Sequence, residues 1–373
     1  MNNNNTQINE EEIVVVIPTL EPTTLLIDYA NKLISKGFLH IIVINDGSSD
    51  KYDSIFKKLN QITECTVITH DKNRGKGAAL KTGYQFIKDH FPECQGVITV
   101  DSDGQHAIED VCKIAQKLAT EKSCLLLGCR NFSLPSIPIK SKLGNRSSSV
   151  LFFMLYGKWI GDTQTGLRGF HTTLLDEMLQ MPGERFEYEM EVIISCTLKK
   201  IPMEQVEIQT IYENNNESTH FQAINDSIRI AKVIFNSFVK FFSSSMISAV
   251  LDLGIAWLLL DLLRNSFVNN DLARIALATC IARIISMLAN YNINKKFVFR
   301  EKNSRKSSFG KYMILCVVIM LLSTFLVYVS HHFLHLNDKI MKVIVDSLLF
   351  LLSYKLQQIW VYNKYQRGSV RDD

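Results

Sequence analysis

Gly96-Val-Ile-Thr-Val-Asp-Ser-Asp-Gly-Gln-His106 (GVITVDSDGQH) runs from an apolar segment straight into two carboxylates. Gly96 to Val100 has the continuous apolar character of a strand buried on both faces. Asp101 and Asp103 follow one residue apart, and alternation in an extended chain points both the same way. Gln105 continues that phase with a carbonyl oxygen. Mg²⁺ takes one or two carboxylates plus substrate phosphates. A cation held by Asp101, Asp103 and Gln105, either Mg²⁺ or Mn²⁺, would neutralise charge building on a departing diphosphate. A bare Asp-x-Asp is a common loop ending. Here it caps an apolar strand and precedes Gly-Gln-His, which makes it far more specific.

Outward from this strand the chain alternates strand and helix signals. Ile13 to Pro18, His40 to Asp46, Thr66 to His70 and Cys124 to Gly128 read as further strands. Leu25 to Lys36, Ala78 to His90 and Ile108 to Glu121 read as helices. That rhythm predicts an α/β fold, a mostly parallel sheet covered by helices on both faces. Ligands of such sheets bind beyond the carboxyl ends of the strands, where Asp46 and Asp101 lie. Asp46 offers acceptors for a base or ribose hydroxyl, or an Asx turn with Gly47. His70 to Leu80 (HDKNRGKGAAL) sets Gly75 and Gly77 before a helix with Arg74 and Lys76 alongside, an approach suited to phosphate. It lacks the spacing and position of a dinucleotide fingerprint, which argues against a nicotinamide enzyme.

From about Phe241 the composition changes. Ile224 to Phe242 has apolar residues at helical spacing interrupted by Arg229, Lys232 and Lys240, as in an amphipathic helix lying in a membrane interface. Four apolar blocks follow, Ser244 to Leu263, Leu272 to Ala289, Met313 to His332 and Ile340 to Val361, each approaching the ~20 residues that cross a bilayer. The connection from Asn292 to Lys311 carries seven Lys/Arg against one acid, and the tail adds Lys364, Arg367 and Arg371. The positive-inside rule then places that connection and both termini in the cytoplasm. Asp252, Arg283, Asp346 and Lys355 lie inside the apolar blocks, where they must pair with one another or line a polar path. The expected division is a disordered tail over 1–12, a cytoplasmic catalytic domain over 13–223, the interface helix over 224–242, an all-α membrane domain over 243–363 and a cytoplasmic tail over 364–373.

The remaining bulk properties exclude more than they assign. A net charge of +4, with no basic patch interleaved with aromatics, argues against nucleic acid. None of the eight cysteines forms a CxxC pair or metal-ligand spacing, so they read as core thiols in a reducing compartment. The opening MNNNNTQINEEE lacks the basic and apolar regions of a signal peptide.

In order, IPTLEP, INDGSSD, NRGKGAAL, VDSDGQH, GCR and DTQTGLRGF resemble the family 2 glycosyltransferases of the GT-A fold, in the pattern of dolichyl- or polyprenyl-phosphate sugar transferases. FVKFFSSSMISAVLDLGIAWLLL and ANYNINKKFVF resemble the GtrA-like four-helix membrane family. One departure is local: such enzymes often begin IPxYNE, and Leu20 replaces that tyrosine or its neighbour. The resemblance implies transfer from a UDP- or GDP-sugar to a polyprenyl phosphate for cell-envelope glycans, in a multi-pass membrane protein with a cytoplasmic catalytic domain, possible as a homo-oligomer. It implies Asp101, Asp103 and Gln105 at the metal and diphosphate, and Pro18, Thr19, Glu21, Asp46, Lys76 and Asp101 at the nucleotide. It implies Asp103, Asp162 and Arg168 near the sugar, with Gln164 in the same loop. Arg130, Lys142 and Arg146 would meet the acceptor phosphate, with structural ion pairing the alternative for Arg130 and Arg168. Glu187, Glu189 and Glu191 read either as site residues or as an exposed acidic helix start. A processive polysaccharide synthase is the rival enzyme, but Gln164 and Arg168 do not make its QxxRW. A lipid-sugar transporter is the rival from another class, and the intact DSDGQH argues against lost chemistry.

Overall fold

The computed structural model describes residues 12–120, 124–133, 137, 139–209, 223–264, 270–299, 306–334 and 337–362. The chain divides into two units, one up to Ile234 and one from Phe235 onward.

The first unit opens with β1 (Ile13–Thr19), α1 (Leu25–Ser35), β2 (His40–Asn45) and α2 (Asp53–Leu59). It continues with β3 (Cys65–Thr69), α3 (Lys76–His90), β4 (Gly96–Thr99), α4 (Ile108–Leu118) and β5 (Leu125–Arg130). Then come α5 (Ile139–Tyr156), β6 (Arg168–His171), α6 (Leu175–Gln180), α7 (Glu187–Lys199) and β7 (Met203–Ile208). The seven strands form one sheet in the order β3-β2-β1-β4-β6-β5-β7. All pairings are parallel except those of β6, which runs antiparallel to both β4 and β5. The mostly parallel sheet is as expected, while β6 and β7 had no sequence signal. β1 and β4 are buried throughout, as strands between two helical layers must be. One side of the core packs Leu26 and Leu33 of α1 and Val111, Ile114 and Leu118 of α4 against Ile41, Val43 and Ile98.

The reversal of β6 positions the site. Parallel strands β1, β2, β4 and β5 deliver Thr19, Asn45, Thr99 and Arg130 to one edge. Because β6 is antiparallel, its first residue Arg168 pairs with Thr99 and Leu127 at that same edge. The loop from Asp162 to Leu167 therefore lies where the other strands end.

α8 (Ala223–Leu262) corrects one boundary. The expected interface helix and first span are a single 40-residue helix, ~60 Å long at ~1.5 Å per residue. The second unit adds α9 (Asp271–Ile293), α10 (Lys306–Leu334) and α11 (Asp338–Leu356). Among the described residues three helical segments are long and apolar enough to cross a membrane: Ile228–Leu262, Asp271–Val298 and Ser308–Ser330. The fourth expected crossing corresponds to α11, which is helical but carries Lys342, Asp346 and Lys355 and falls short. The charges in these helices make local pairs. Asp252 accepts from Arg283 at 3.2 Å and from Ser286 at 2.9 Å. Asp346 pairs with Lys342 at 3.1 Å and accepts from Ser323 at 2.5 Å. The expected tails over 1–12, except Glu12, and 364–373, and much of the basic connection, lie outside the described residues.

α9 and α11 both run on into a π-helical turn, Asn294–Val298 and Gln357–Val361. The two turns close alike, by Phe299 N–H to the Asn294 carbonyl at 2.8 Å and Tyr362 N–H to the Gln357 carbonyl at 2.9 Å. Their contacts are reciprocal at an offset of 63 residues. Tyr291 stacks with Tyr362 at 5.8 Å, and Tyr354 meets Phe299 at 6.0 Å. The equivalent pairs also meet directly: Asn294 Nδ2 donates to Gln357 Oε1 at 3.0 Å, and Phe299 stacks on Tyr362 at 4.8 Å. Reciprocal contact of i with j and j with i is the pattern of two-fold symmetry. The second unit thus contains two helix-and-turn motifs packed symmetrically.

Candidate active site

Asp101 leaves the end of β4 against Gly166 of the loop before β6. A Cβ on Gly166 would sit 2.1 Å from Asp101 Oδ2, so glycine is what lets the carboxylate lie there. The loop is fixed to β4 by Thr99 Oγ1, which donates to the Gly166 carbonyl at 2.8 Å.

The two Asp101 oxygens face different side chains. Oδ1 meets Lys76 Nζ at 2.6 Å, and Oδ2 faces His106 Nε2 at 3.2 Å. Lys76 also reaches Glu189 Oε1 at 2.8 Å. Burial alone would raise the Asp101 carboxyl, but Lys76 and His106 overcome it and hold the group well below the usual carboxylate range. Burial likewise opposes the Lys76 charge, and Asp101 and Glu189 more than offset it, so its ammonium is held above an ordinary lysine. Asp103 goes the other way. Burial and then the neighbouring Asp101 charge raise its carboxyl, while Gln105 N–H donates to its Oδ1 at 3.1 Å. Two nearby carboxylates, the second pushed up by burial and then by the first one's charge, form a site that a cation would relieve.

Among the described residues no three His, Cys, Asp or Glu side chains converge as a metal cluster. Asp101 and Asp103 still fit a hard cation that takes the rest of its shell from phosphate and water. His106 Nδ1 and the Tyr29 hydroxyl are buried without a hydrogen-bond partner among the described residues. The Asp101 and Asp103 charges are among those acting on that hydroxyl.

Elsewhere the expected residues take different roles. Asp46 is buried, and its carboxylate accepts from Arg74 N–H at 2.9 Å and Gly75 N–H at 2.7 Å. It also pairs with His70 Nδ1 at 2.8 Å. It therefore fills the anion position at the start of α3, in place of the phosphate expected there. The side-chain bond into this turn comes from Asn45 instead, whose Oδ1 accepts from Ser48 N–H, three residues on, at 2.9 Å. Lys76 points to Asp101 and Glu189 rather than along the glycine loop. Gly77 serves packing, since a Cβ there would lie 2.5 Å from Tyr188 Cβ. At the end of β1, Pro18 and Thr19 are buried, with Thr19 Oγ1 donating to Ile17 O at 3.1 Å. Glu21 is exposed at φ 48°, and its N–H donates to Ser48 Oγ at 2.8 Å.

Asp162 is fully buried, and Arg130 forks onto it through Nε at 2.7 Å and Nη2 at 3.2 Å. Buried there, Asp162 holds the Arg130 guanidinium and, by accepting from Gln164 N–H at 3.2 Å, its own loop. Arg168 is buried as well. Its Nε donates to Thr165 O at 3.0 Å and its Nη1 to Glu189 O at 2.8 Å, so it braces the loop and α7, while its Nη2 is buried without a hydrogen-bond partner among the described residues. Lys142 and Arg146 lie on α5, where the Arg146 guanidinium sits 4.9 Å from the Trp159 ring centre. Sequence reasoning left Glu189 undecided between surface and site; it is buried, with Lys76 on its carboxylate. His106 was quoted in its motif without a role. Its adjacency to a strand-end carboxylate was the available signal.

Residues 14–179 match glycosyl transferase family 2, and residues 272–362 match the GtrA/DPMS transmembrane domain. A protein of Methanocaldococcus jannaschii, itself uncharacterised, is 32% identical over 219 residues, which cover 57% of this chain and 88% of that one. The chain belongs to glycosyl transferase family 2. In this family 2 chain the transferase domain is fused to the GtrA/DPMS membrane domain. It is 29% identical over 217 residues to the UDP-N-acetylglucosamine–dolichyl-phosphate N-acetylglucosaminyltransferase of Methanococcus voltae, covering 54% of this chain and 86% of that one. It is 25% identical over 260 residues to a dolichyl-phosphate beta-glucosyltransferase of Saccharomyces cerevisiae, covering 62% and 75%. Asp101 and Asp103 fall inside the family 2 match, and both π-helical turns fall inside the membrane-domain match.

Proposed function

We propose that this glycosyltransferase moves a sugar from a UDP- or GDP-sugar to a polyprenyl phosphate at the cytoplasmic face of the cell membrane. The observation that carries this reading is the presence in one chain of the Asp101–Asp103 strand end and a GtrA/DPMS membrane domain. The dolichyl-phosphate transferases among its relatives support the acceptor. α5 supports it too: Leu143, Val150, Phe153 and Met154 are exposed on the helix that carries Lys142 and Arg146. An apolar face flanked by cations suits an anionic lipid.

Mg²⁺ or Mn²⁺ bound with the donor would stabilise the leaving diphosphate. Asp101 and Asp103 would hold that cation, with the Gln105 side chain alongside. An acceptor phosphate with a second pKa near ~6 is largely dianionic at neutral pH, so its oxygen is already nucleophilic. The chain's work is then positioning and charge stabilisation. The acceptor oxygen attacks the anomeric carbon, the bond to the diphosphate breaks, and the configuration inverts in a single displacement. Lys142 and Arg146, with Arg130 at the end of β5, supply cations for the acceptor phosphate. The test is an assay of the full chain in detergent with undecaprenyl or dolichyl phosphate and a panel of UDP- and GDP-sugars. A glycosylated lipid phosphate is expected, lost on chelation. Turnover that ignores the lipid phosphate would refute the acceptor.

A further inference from the structure

Lys76 sits where a cation belongs. Its ammonium is 2.6 Å from Asp101 Oδ1, the first carboxylate of the strand-end pair, and His106 faces the other oxygen. A divalent cation bonded to Asp101 Oδ1 at ~2.0–2.1 Å would meet that ammonium at close range in a site of low exposure. Both cannot keep the same oxygen unless negative charge arrives with the metal. A diphosphate brings that charge: it completes the metal's oxygen shell and gives the ammonium a new partner. Glu189 is the other half of the arrangement. It is buried, 2.8 Å from Lys76, and its peptide carbonyl is held by the buried Arg168. Lys76 therefore keeps one fixed partner when it gives up the other.

We propose that Lys76 is a built-in counter-cation of the donor site, holding Asp101 while the site is empty and yielding it to a divalent cation only when a nucleoside diphosphate enters. Glu189, braced by Arg168, is the positioning residue that keeps Lys76 within reach of both states. This rests on the reading of Asp101 as a cation ligand. Metal and donor binding are then positively coupled, and the coupling is reciprocal. The device also keeps Asp101 paired and oriented between turnovers.

The test is Mn²⁺ binding to the full-length protein in detergent, read from the spin-resonance signal of free Mn²⁺, alone and with UDP or GDP. The wild type is expected to bind Mn²⁺ weakly alone and more tightly with nucleotide. K76Q removes the charge and keeps a hydrogen-bond donor toward Glu189. It is expected to bind Mn²⁺ alone about ten- to hundredfold tighter, the scale of a lost hydrogen bond to a charged group. Its enhancement by nucleotide is expected to shrink correspondingly. K76Q/E189Q, which leaves no buried carboxylate unpaired, should bind in the same way and serves if K76Q does not fold. D101N separates the two claims. If D101N abolishes nucleotide-assisted Mn²⁺ binding but K76Q and K76Q/E189Q bind Mn²⁺ alone no tighter than wild type, the counter-cation is refuted and the metal site stands. If D101N binds Mn²⁺ with nucleotide as the wild type does, the metal site itself is wrong and the proposal falls with it.

Discussion

Asp162 is fully buried with the Arg130 guanidinium forked onto it. Removing the Arg130 side chain would leave that carboxylate only backbone donors such as Gln164 N–H, at a cost of up to about 3–5 kcal/mol, the figure for a broken buried pair. R130A is therefore expected to lower the melting temperature of the detergent-solubilised protein, and R130A/D162N to recover most of the loss. An R130A protein that melts like wild type and only weakens lipid kinetics would assign Arg130 to the acceptor alone. Gly166 makes a sharper prediction. A Cβ there meets Asp101 Oδ2 at 2.1 Å, so G166A should displace the carboxylate. A shift of that order costs about 10²-fold in rate. The measurement is kcat against melting temperature: a large fall in the first with little change in the second is expected, and an unimpaired rate would show that Asp101 need not lie there. The strand-end carboxylates were legible because an apolar run ended in them. The destinations of Lys76, Arg130 and Glu189 were not, because each ion pair joins residues far apart in sequence, nor was that of Arg168, whose partners are backbone carbonyls; a charge alone does not reveal whether its partner is protein or ligand.

α8 shows the same limit in an element. Ile224 to Phe242 and the block from Ser244 to Leu263 read as two segments, an interface helix and a span. In the structure Ser244 and Ser248 return their hydroxyls to the Phe241 and Ser244 carbonyls at 2.9 Å, so the helix continues through them. β6 was unreadable because four residues, RGFH, carry no periodicity, and its antiparallel placement is decided by neighbours on both sides. The two π-helical turns share little sequence beyond Tyr291 and Tyr354 and Val298 and Val361, so their equivalence emerges only from reciprocal contacts. If Asn294 and Gln357 are coupled across that symmetry, N294L and Q357L should be non-additive. The expected coupling is about 0.6–1.7 kcal/mol, the measured range for side-chain hydrogen bonds in membrane proteins. Unfolding of the four proteins in detergent gives the cycle, and strictly additive losses would show that the contact carries no energy.

At the scale of the molecule, the change of composition near Phe241 announced two units, and the division at Phe235 lies close to it. The number of crossings was less legible, since charges in α11 can be met by side chains such as Ser323 that only packing brings near. Lys295 and Lys296 follow α9, whereas the end of α8 and start of α9 are poorer in Lys and Arg. The positive-inside rule then places Lys295 in the cytoplasm and Asn270 outside. Cysteines at these positions should label from opposite sides of intact cells; labelling from the same side would overturn the orientation. The central claim is tested most directly by the mass of the lipid product. Wild-type protein with a UDP- or GDP-sugar, Mg²⁺ or Mn²⁺ and polyprenyl phosphate should yield one hexose or aminosugar per lipid phosphate. D103N should yield little, and the unphosphorylated polyprenol none. Equal product from D103N, or from the polyprenol lacking its phosphate, would contradict the account.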